Sequence, residues 1–138
     1  MKFQAVRSFR NNINRLDLNR ATEKALKARE EDISELNRDQ LRQGQRSDGT
    51  FLPPYSSNSV SKFGKTAGPI KLFDTGDFYK GIKPEFKKEE FNITDSDNKT
   101  DMLQDRYGDS ILGLSDLSIG ELAQDSLGQI QYELRQQL

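Results

Sequence analysis

The chain has 138 residues, the length of one domain, with 33% of residues hydrophobic and 31% charged. That is little apolar material for a core of this length, so the chain is expected to have extended arms or to need partners that cover its remaining apolar face. It holds no Cys, His or Trp, which removes disulfides, thiolate and imidazole nucleophile machinery and the usual zinc sites. Acid–base work would fall to carboxylates, Tyr or Lys. The composition favours a structural or binding protein over an enzyme, with no cofactor expected. No apolar run approaches the roughly 18 residues a membrane helix needs. The start, Met1-Lys-Phe-Gln-Ala-Val-Arg7, has no apolar signal core.

The net charge of −1 hides a segregation. Residues 1–92 hold 18 Lys/Arg against 13 Asp/Glu, and residues 93–138 hold 3 against 9. A basic front and an acidic back favour head-to-tail association between copies, or docking on a charged partner. The first 29 residues carry 8 basic and 2 acidic side chains, enough for non-specific phosphate contact. No nucleic-acid recognition motif accompanies them.

In chain order, Phe3, Val6, Phe9, Ile13 and Leu16 recur at helical spacing, with Arg7, Arg10 and Arg15 toward solvent. Ala21, Ala25, Ala28 and Leu26 continue among strong helix formers. A break near Asp17–Asn19 predicts two helices, or one bent helix, over residues 3–34. Asn37-x-x-Gln40 has the form of a capping box, predicting a short helix over 38–43 that stops at Gly44. Ser47-Asp-Gly49 predicts a turn and Thr50-Phe-Leu52 a short strand ended by Pro53-Pro54. Tyr55 is expected to pack back on the core. The small, polar segment 56–68 predicts a flexible loop or arm.

Ile70-Lys-Leu-Phe73 predicts a strand running into a Thr-Gly turn, with Phe78, Tyr79 and Ile82 as buried anchors. Phe86, Phe91 and Ile93 alternate with polar residues, so Lys83–Lys88 and Glu89–Thr94 predict paired strands, with Pro84 on an edge. The oxygen-rich turn Asp95-Ser-Asp-Asn98 lacks EF-hand spacing, and no metal is expected there. Lys99–Arg106 predicts one or two helical turns with Met102 and Leu103 inward, ended by Tyr107-Gly108. Ser118-x-x-Glu121 predicts the start of a last helix. Ile119, Leu122, Ala123, Leu127, Ile130, Leu134 and Leu138 would share its apolar face, weakened by Gly120 and Gly128.

Two short segments say more. Pro69-Ile-Lys-Leu-Phe-Asp-Thr-Gly-Asp-Phe-Tyr-Lys-Gly-Ile82 carries a "Leu-x-x-Thr-Gly-x-apolar" turn at Leu72, Thr75, Gly76 and Phe78. Ser110-Ile-Leu-Gly-Leu-Ser-Asp-Leu-Ser-Ile-Gly-Glu121 carries an "apolar-Leu-Gly-Leu-Ser" corner at Leu112, Gly113, Leu114 and Ser115. Together with Leu36–Gly44 and Ser47–Tyr55, they resemble the tail-completion or neck proteins of tailed bacteriophages, the virion-morphogenesis family, over residues 36–138. The resemblance implies a structural virion protein. Its copies would form a ring at the head–tail interface that joins head to tail and lets DNA pass. Implied partners are other copies, portal or connector and tail-tube proteins, with non-specific contact with genomic DNA and no membrane. The location would be the virion, assembled in the bacterial host cytoplasm. Arg7, Arg10, Arg15, Ile130 and Leu134 are the candidate interface residues. The loop 56–68 and Pro53-Pro54 depart from the family pattern, which keeps open a head-completion layer nearer the portal.

The same residues support a rival. Asp74-Thr75-Gly76, with Ile111-Leu112-Gly113, resembles the half-site of a retroviral-type homodimeric aspartic protease, in which two Asp share one proton. The lysine- and aspartate-rich segment between these motifs, Asp77 after the Gly, and helical flanks argue against it. The expected fold is α+β: an N-terminal helix or helix pair within 1–44, a small antiparallel sheet within 50–94, and a short helix, a corner and a C-terminal amphipathic helix within 99–138, in one domain spanning 1–138.

Overall fold

The computed structural model describes residues 16–57, 61–62, 64, 67–74, 76–87 and 90–138. Helix and sheet are both present: α1 (Leu18–Lys27), α2 (Glu30–Arg42), α3 (Asp77–Gly81), β1 (Ile82–Lys87), β2 (Glu90–Asp95), α4 (Thr100–Tyr107), a 3-10 turn (Asp109–Ile111) and α5 (Asp116–Gln136). The expected α+β class therefore holds. The chain forms two compact units, one containing α1 and Leu122–Leu138, the other Glu30–Glu121.

In the first unit, Asp17 starts α1: its side chain accepts from the Arg20 N–H at 3.0 Å and occupies the N-cap position. The predicted break near Asp17–Asn19 is thus a helix start, and the stretch after it, predicted as continuous to 34, breaks instead at Ala28–Arg29. The stripe Phe3–Ile13 and Arg7, Arg10 and Arg15 lie outside the described residues. Ala21 and Ala25 are fully buried, and Glu23 and Lys27 pair one turn apart. The backbone of Asp17 is tied to Gln137 by reciprocal bonds, Asp17 N–H to Oε1 at 2.6 Å and Nε2 to Asp17 O at 3.0 Å.

In the second unit, α2 runs unbroken from Glu30 to Arg42. The separate helix predicted over 38–43 is its last turn, and Asn37 is mid-helix rather than a cap. Acidic Glu30, Glu31 and Asp32 sit in its first turn, where they suit the helix dipole. Gly44, at φ 72°, ends the helix in the left-handed region. A Cβ there would overlap the Pro69 ring, so the close approach of residue 69 also requires glycine.

A tight reversal follows. Arg46 N–H reaches Thr50 O at 2.7 Å and Leu52 N–H reaches Gly44 O at 2.7 Å, while Asp48 Oδ1 takes both the N–H and the hydroxyl of Thr50. The strand predicted over 50–52 reduces to a single bridge, Gln45 with Phe51, because the helix end at Gly44 on one side and Pro53-Pro54 on the other stop the ladder. Pro54 bridges Pro69, Tyr55 N–H bonds Gly68 O and Ile70 N–H bonds Pro53 O. The predicted loop 56–68 lies partly outside the described residues; Ser57 and Ser61–Lys62 have helical geometry.

The strand predicted over Ile70–Phe73 does not form. Leu72 sits at φ 57°, a conformation that breaks extension and is costly for a γ-branched residue. The segment is held by two tyrosines: Tyr55 Oη accepts the Lys71 N–H, and Tyr79 Oη donates to Lys71 O at 2.6 Å. The paired strands appear where alternation placed them, with Lys83 opposite Thr94, Pro84 opposite Ile93 and Phe86 opposite Phe91. Ile82 and Pro84 face inward, while Lys83, Glu85 and Lys87 face out. The Phe86 and Phe91 rings lie 5.7 Å apart and close the sheet's far end. In α4, Leu103 packs against the core, but Met102 is exposed, because the two are adjacent on a helix and cannot both face inward.

Candidate functional site: a clamped corner and the helix it launches

The two family-like segments meet in one core. Leu41, Leu52, Phe78, Tyr79, Ile82 and Ile111 are buried together, with Ile70, Leu72 and Leu112 packed against them. Gly76, at φ 87°, is the N-cap of α3, and it turns the chain so that Phe78 points into this core. Phe73 stacks edge-on against Tyr79 at 5.1 Å, and Arg42 lies over the Tyr79 ring at 5.7 Å. Burial pushes the Tyr79 hydroxyl well above the usual tyrosine range, so it remains a donor to Lys71 O. Thr75 lies outside the described residues.

The second segment is fixed by side-chain amides of α2. Asn37 donates from Nδ2 to Ile111 O at 3.1 Å and accepts the Gly113 N–H at 2.8 Å. One turn on, Gln40 donates from Nε2 to Gly113 O at 2.9 Å and accepts the Ser115 N–H at 2.8 Å. Two buried amides thus satisfy four backbone groups of a corner that has no sheet to pair with. Gly113, at φ 136°, lets the chain turn between them, and Ser47 N–H bonds Ser110 O on the same loop. Asn37 and Gln40 were expected to cap a helix; their polar signal was visible, but their use is tertiary.

The corner ends in Ser115, whose Oγ accepts the Ser118 N–H at 3.2 Å and starts α5. The cap therefore lies three residues before the predicted Ser118, and the Ser118 hydroxyl is buried against Ser115 Oγ at 3.2 Å. Along α5 the buried positions are Ser118, Leu122 and Ser126. Of the predicted apolar face, Leu122 is buried and Ile130 and Leu134 are half-buried, while Ile119, Leu127 and Leu138 are 50%, 49% and 65% exposed. Beside the buried Ser118, Leu122 and Ser126, the helix thus leaves Ile119 and Leu127 uncovered. A polar recess of about 390 Å³ also lies between Asp17, Arg20, Lys24, Glu133, Gln136 and Gln137.

On α2, Arg38 donates to Tyr79 O and Ile82 O while pairing with Glu31 and Glu35, and Arg42 pairs with Glu35 and Asp39. The bond from Arg42 is the main reason the Glu35 carboxyl is held below its usual range, with Arg38 assisting against a burial cost. This ladder stiffens the helix that carries the clamp. Asp74, the carboxylate of the protease reading, is exposed. The described residues contain no group of three or more acidic, His or Cys side chains poised to hold a metal. No described helix is long and apolar enough to cross a membrane.

Comparison with protein-family models, with curated proteins and with solved structures yields no match. The site is therefore defined by its own geometry: a mixed α+β scaffold in which a clamped corner holds the start of α5.

Proposed function

We propose that the chain is a structural virion protein of a tailed bacteriophage, whose copies form a ring at the head–tail interface and join head to tail around the DNA path. The observation that carries this reading is the meeting of the two family-like segments in one core, where Gly76-Asp-Phe78 and Leu112–Ser115 serve the scaffold and hand off to α5. A rigid corner followed by a helix with exposed Ile119 and Leu127 is the form of a protein completed by neighbours. The opposed charge blocks suit a front-to-back contact, which closes into a ring when the rotation closes. Portal or connector and tail-tube proteins are the partners proposed on either side, and a head-completion layer is the neighbouring alternative.

The test is imaging of the purified protein, alone and mixed with its portal and tail-tube counterparts, by negative-stain and cryo-electron microscopy. Closed rings, or density at the particle neck that a labelled chain occupies, support the proposal. A chain that stays monomeric in every mixture and leaves particles complete when deleted overturns it. The aspartic-protease reading is separated by incubation with a peptide library: cleavage that pepstatin blocks and Asp74→Asn abolishes would replace the virion role with an enzyme.

A further inference from the structure

Where β2 passes into α4, two carboxylates each hold one buried oxygen without a partner. Asp95 Oδ2 and Asp97 Oδ2 are both closed off from solvent and meet no hydrogen-bond donor. Their other oxygens are engaged: Asp95 Oδ1 accepts the Asp97 N–H at 2.8 Å, and Asp97 Oδ1 accepts the Lys99 N–H at 2.9 Å. The turn is pressed against the α3–β1 junction. Ser96 N–H reaches Gly81 O at 3.3 Å, and a Cβ on Gly81 would overlap Asp95 Oδ1. Among the described residues the charged groups facing Asp95 are Asp97 from its own turn and Arg38 from α2; α3 and β1 meet it with backbone, at Gly81 and Ile82.

A buried carboxylate oxygen with no donor is costly when ionised, and a second carboxylate beside it adds repulsion. The Arg38 guanidinium is already committed to Tyr79 O, Ile82 O, Glu31 and Glu35. We propose that the Asp95–Asp97 turn is a proton-operated latch: one proton held at Asp95 keeps the turn packed on the α3–β1 junction, and its loss loosens that turn. Burial, with the Asp97 charge adding to it, pushes the Asp95 carboxyl up to about 6, against the opposing bond from the Asp97 N–H and the Arg38 charge. The sign follows from linkage. The folded form binds this proton more tightly than the unfolded chain. The latch is therefore fully closed below the ordinary aspartate range and weakens as pH rises toward about 6. Its location matters because the junction carries Phe78 and Tyr79, which anchor the core.

Carboxyl-carbon NMR titration of the full chain tests this, with amide hydrogen exchange at Ser96 measured across the same pH range. Asp95 should titrate near 6, and Asp97→Asn should lower that midpoint by removing the like charge. After correction for intrinsic exchange, the Ser96 amide, which bonds Gly81 O, should exchange roughly tenfold faster above the midpoint than below it. Asp95→Asn should abolish that rise. An Asp95 midpoint in the ordinary aspartate range, or the same rise in Asp95→Asn, overturns the latch. If Asp95→Asn does not fold, the Asp97→Asn titration decides alone, and an unmoved Asp95 midpoint refutes the proposal.

Discussion

Asn37 and Gly113 lie 76 positions apart and share a 2.8 Å hydrogen bond, backbone N–H to side-chain carbonyl. The same amide holds Ile111 O from its other end. Asn37→Ala would leave both backbone groups without their partner, Ile111 O in a buried site and the Gly113 N–H in a partly buried one. The expected cost is about 1–3 kcal/mol for each group, less any relaxation. Asn37→Asp should fare no better, since it loses the donor and buries a charge. Chemical denaturation of the three proteins checks this; a loss below ~0.5 kcal/mol for the alanine would mean the corner stands without its clamp.

Ser115 and Ser118 separate the two candidate starts of α5. Ser115→Ala removes the hydroxyl that caps the Ser118 N–H and should cost about 1 kcal/mol. Ser118→Ala keeps the cap and should cost less. Equal losses in thermal unfolding would contradict the cap assignment.

Ser126 is fully buried in α5, and its Oγ has no partner. Ser126→Ala removes an unsatisfied hydroxyl, so it should be neutral or stabilise by up to about 1 kcal/mol. A destabilisation of that size in denaturant titration would show that the hydroxyl has a partner in solution.

Two glycines with left-handed φ should respond differently. Gly49, at φ 86°, has open space beside it, whereas Gly44, at φ 72°, has the Pro69 ring in the way. Gly49→Ala should cost about 1 kcal/mol from backbone conformation alone. Gly44→Ala adds a steric displacement of the 69–71 segment and should cost about 1–3 kcal/mol more. Near-identical melting temperatures for the two variants would rule out the close approach.

Leu127 is half exposed and Ile130 and Leu134 are half buried on α5. Leu127→Asp should leave circular dichroism and unfolding close to wild type while preventing assembly with neighbours. Ile130→Asp with Leu134→Asp should harm both. Normal assembly by the Leu127 variant would show that this position is ordinary surface.

How much of this was legible depended on which interactions carry each element. The β1–β2 pair was readable because Phe86, Phe91 and Ile93 alternate, and side-chain alternation is what a half-buried strand physically requires. The long last helix was readable for the same reason at another period. The clamp was not. Asn37 and Gln40 fit a capping pattern, and nothing local distinguishes an amide that caps its own helix from one that reaches a corner more than seventy residues away. Their spacing with Ile33, Ser34 and Leu41, all buried, does mark one helix face. A reading that counted polar residues as face members would have placed them inward. The strand predicted at Ile70–Phe73 failed because apolar content was read as extension, while Leu72 was turned by packing and by two distant tyrosine hydroxyls.

Those tyrosines, with Tyr55 N–H on Gly68 O and Ile70 N–H on Pro53 O, fasten the chain on both sides of the stretch between Tyr55 and Gly68. The scaffold meets at its base whatever lies beyond it, so the stretch behaves as a socket whose contents are interchangeable. Lengthening a closed loop twofold costs only about 0.6 kcal/mol, and the residues that build the clamped corner and the core cluster all lie outside this stretch. A peptide epitope or a small reporter domain spliced into this socket should ride on the folded protein, giving engineers a handle and evolution a place to vary its length.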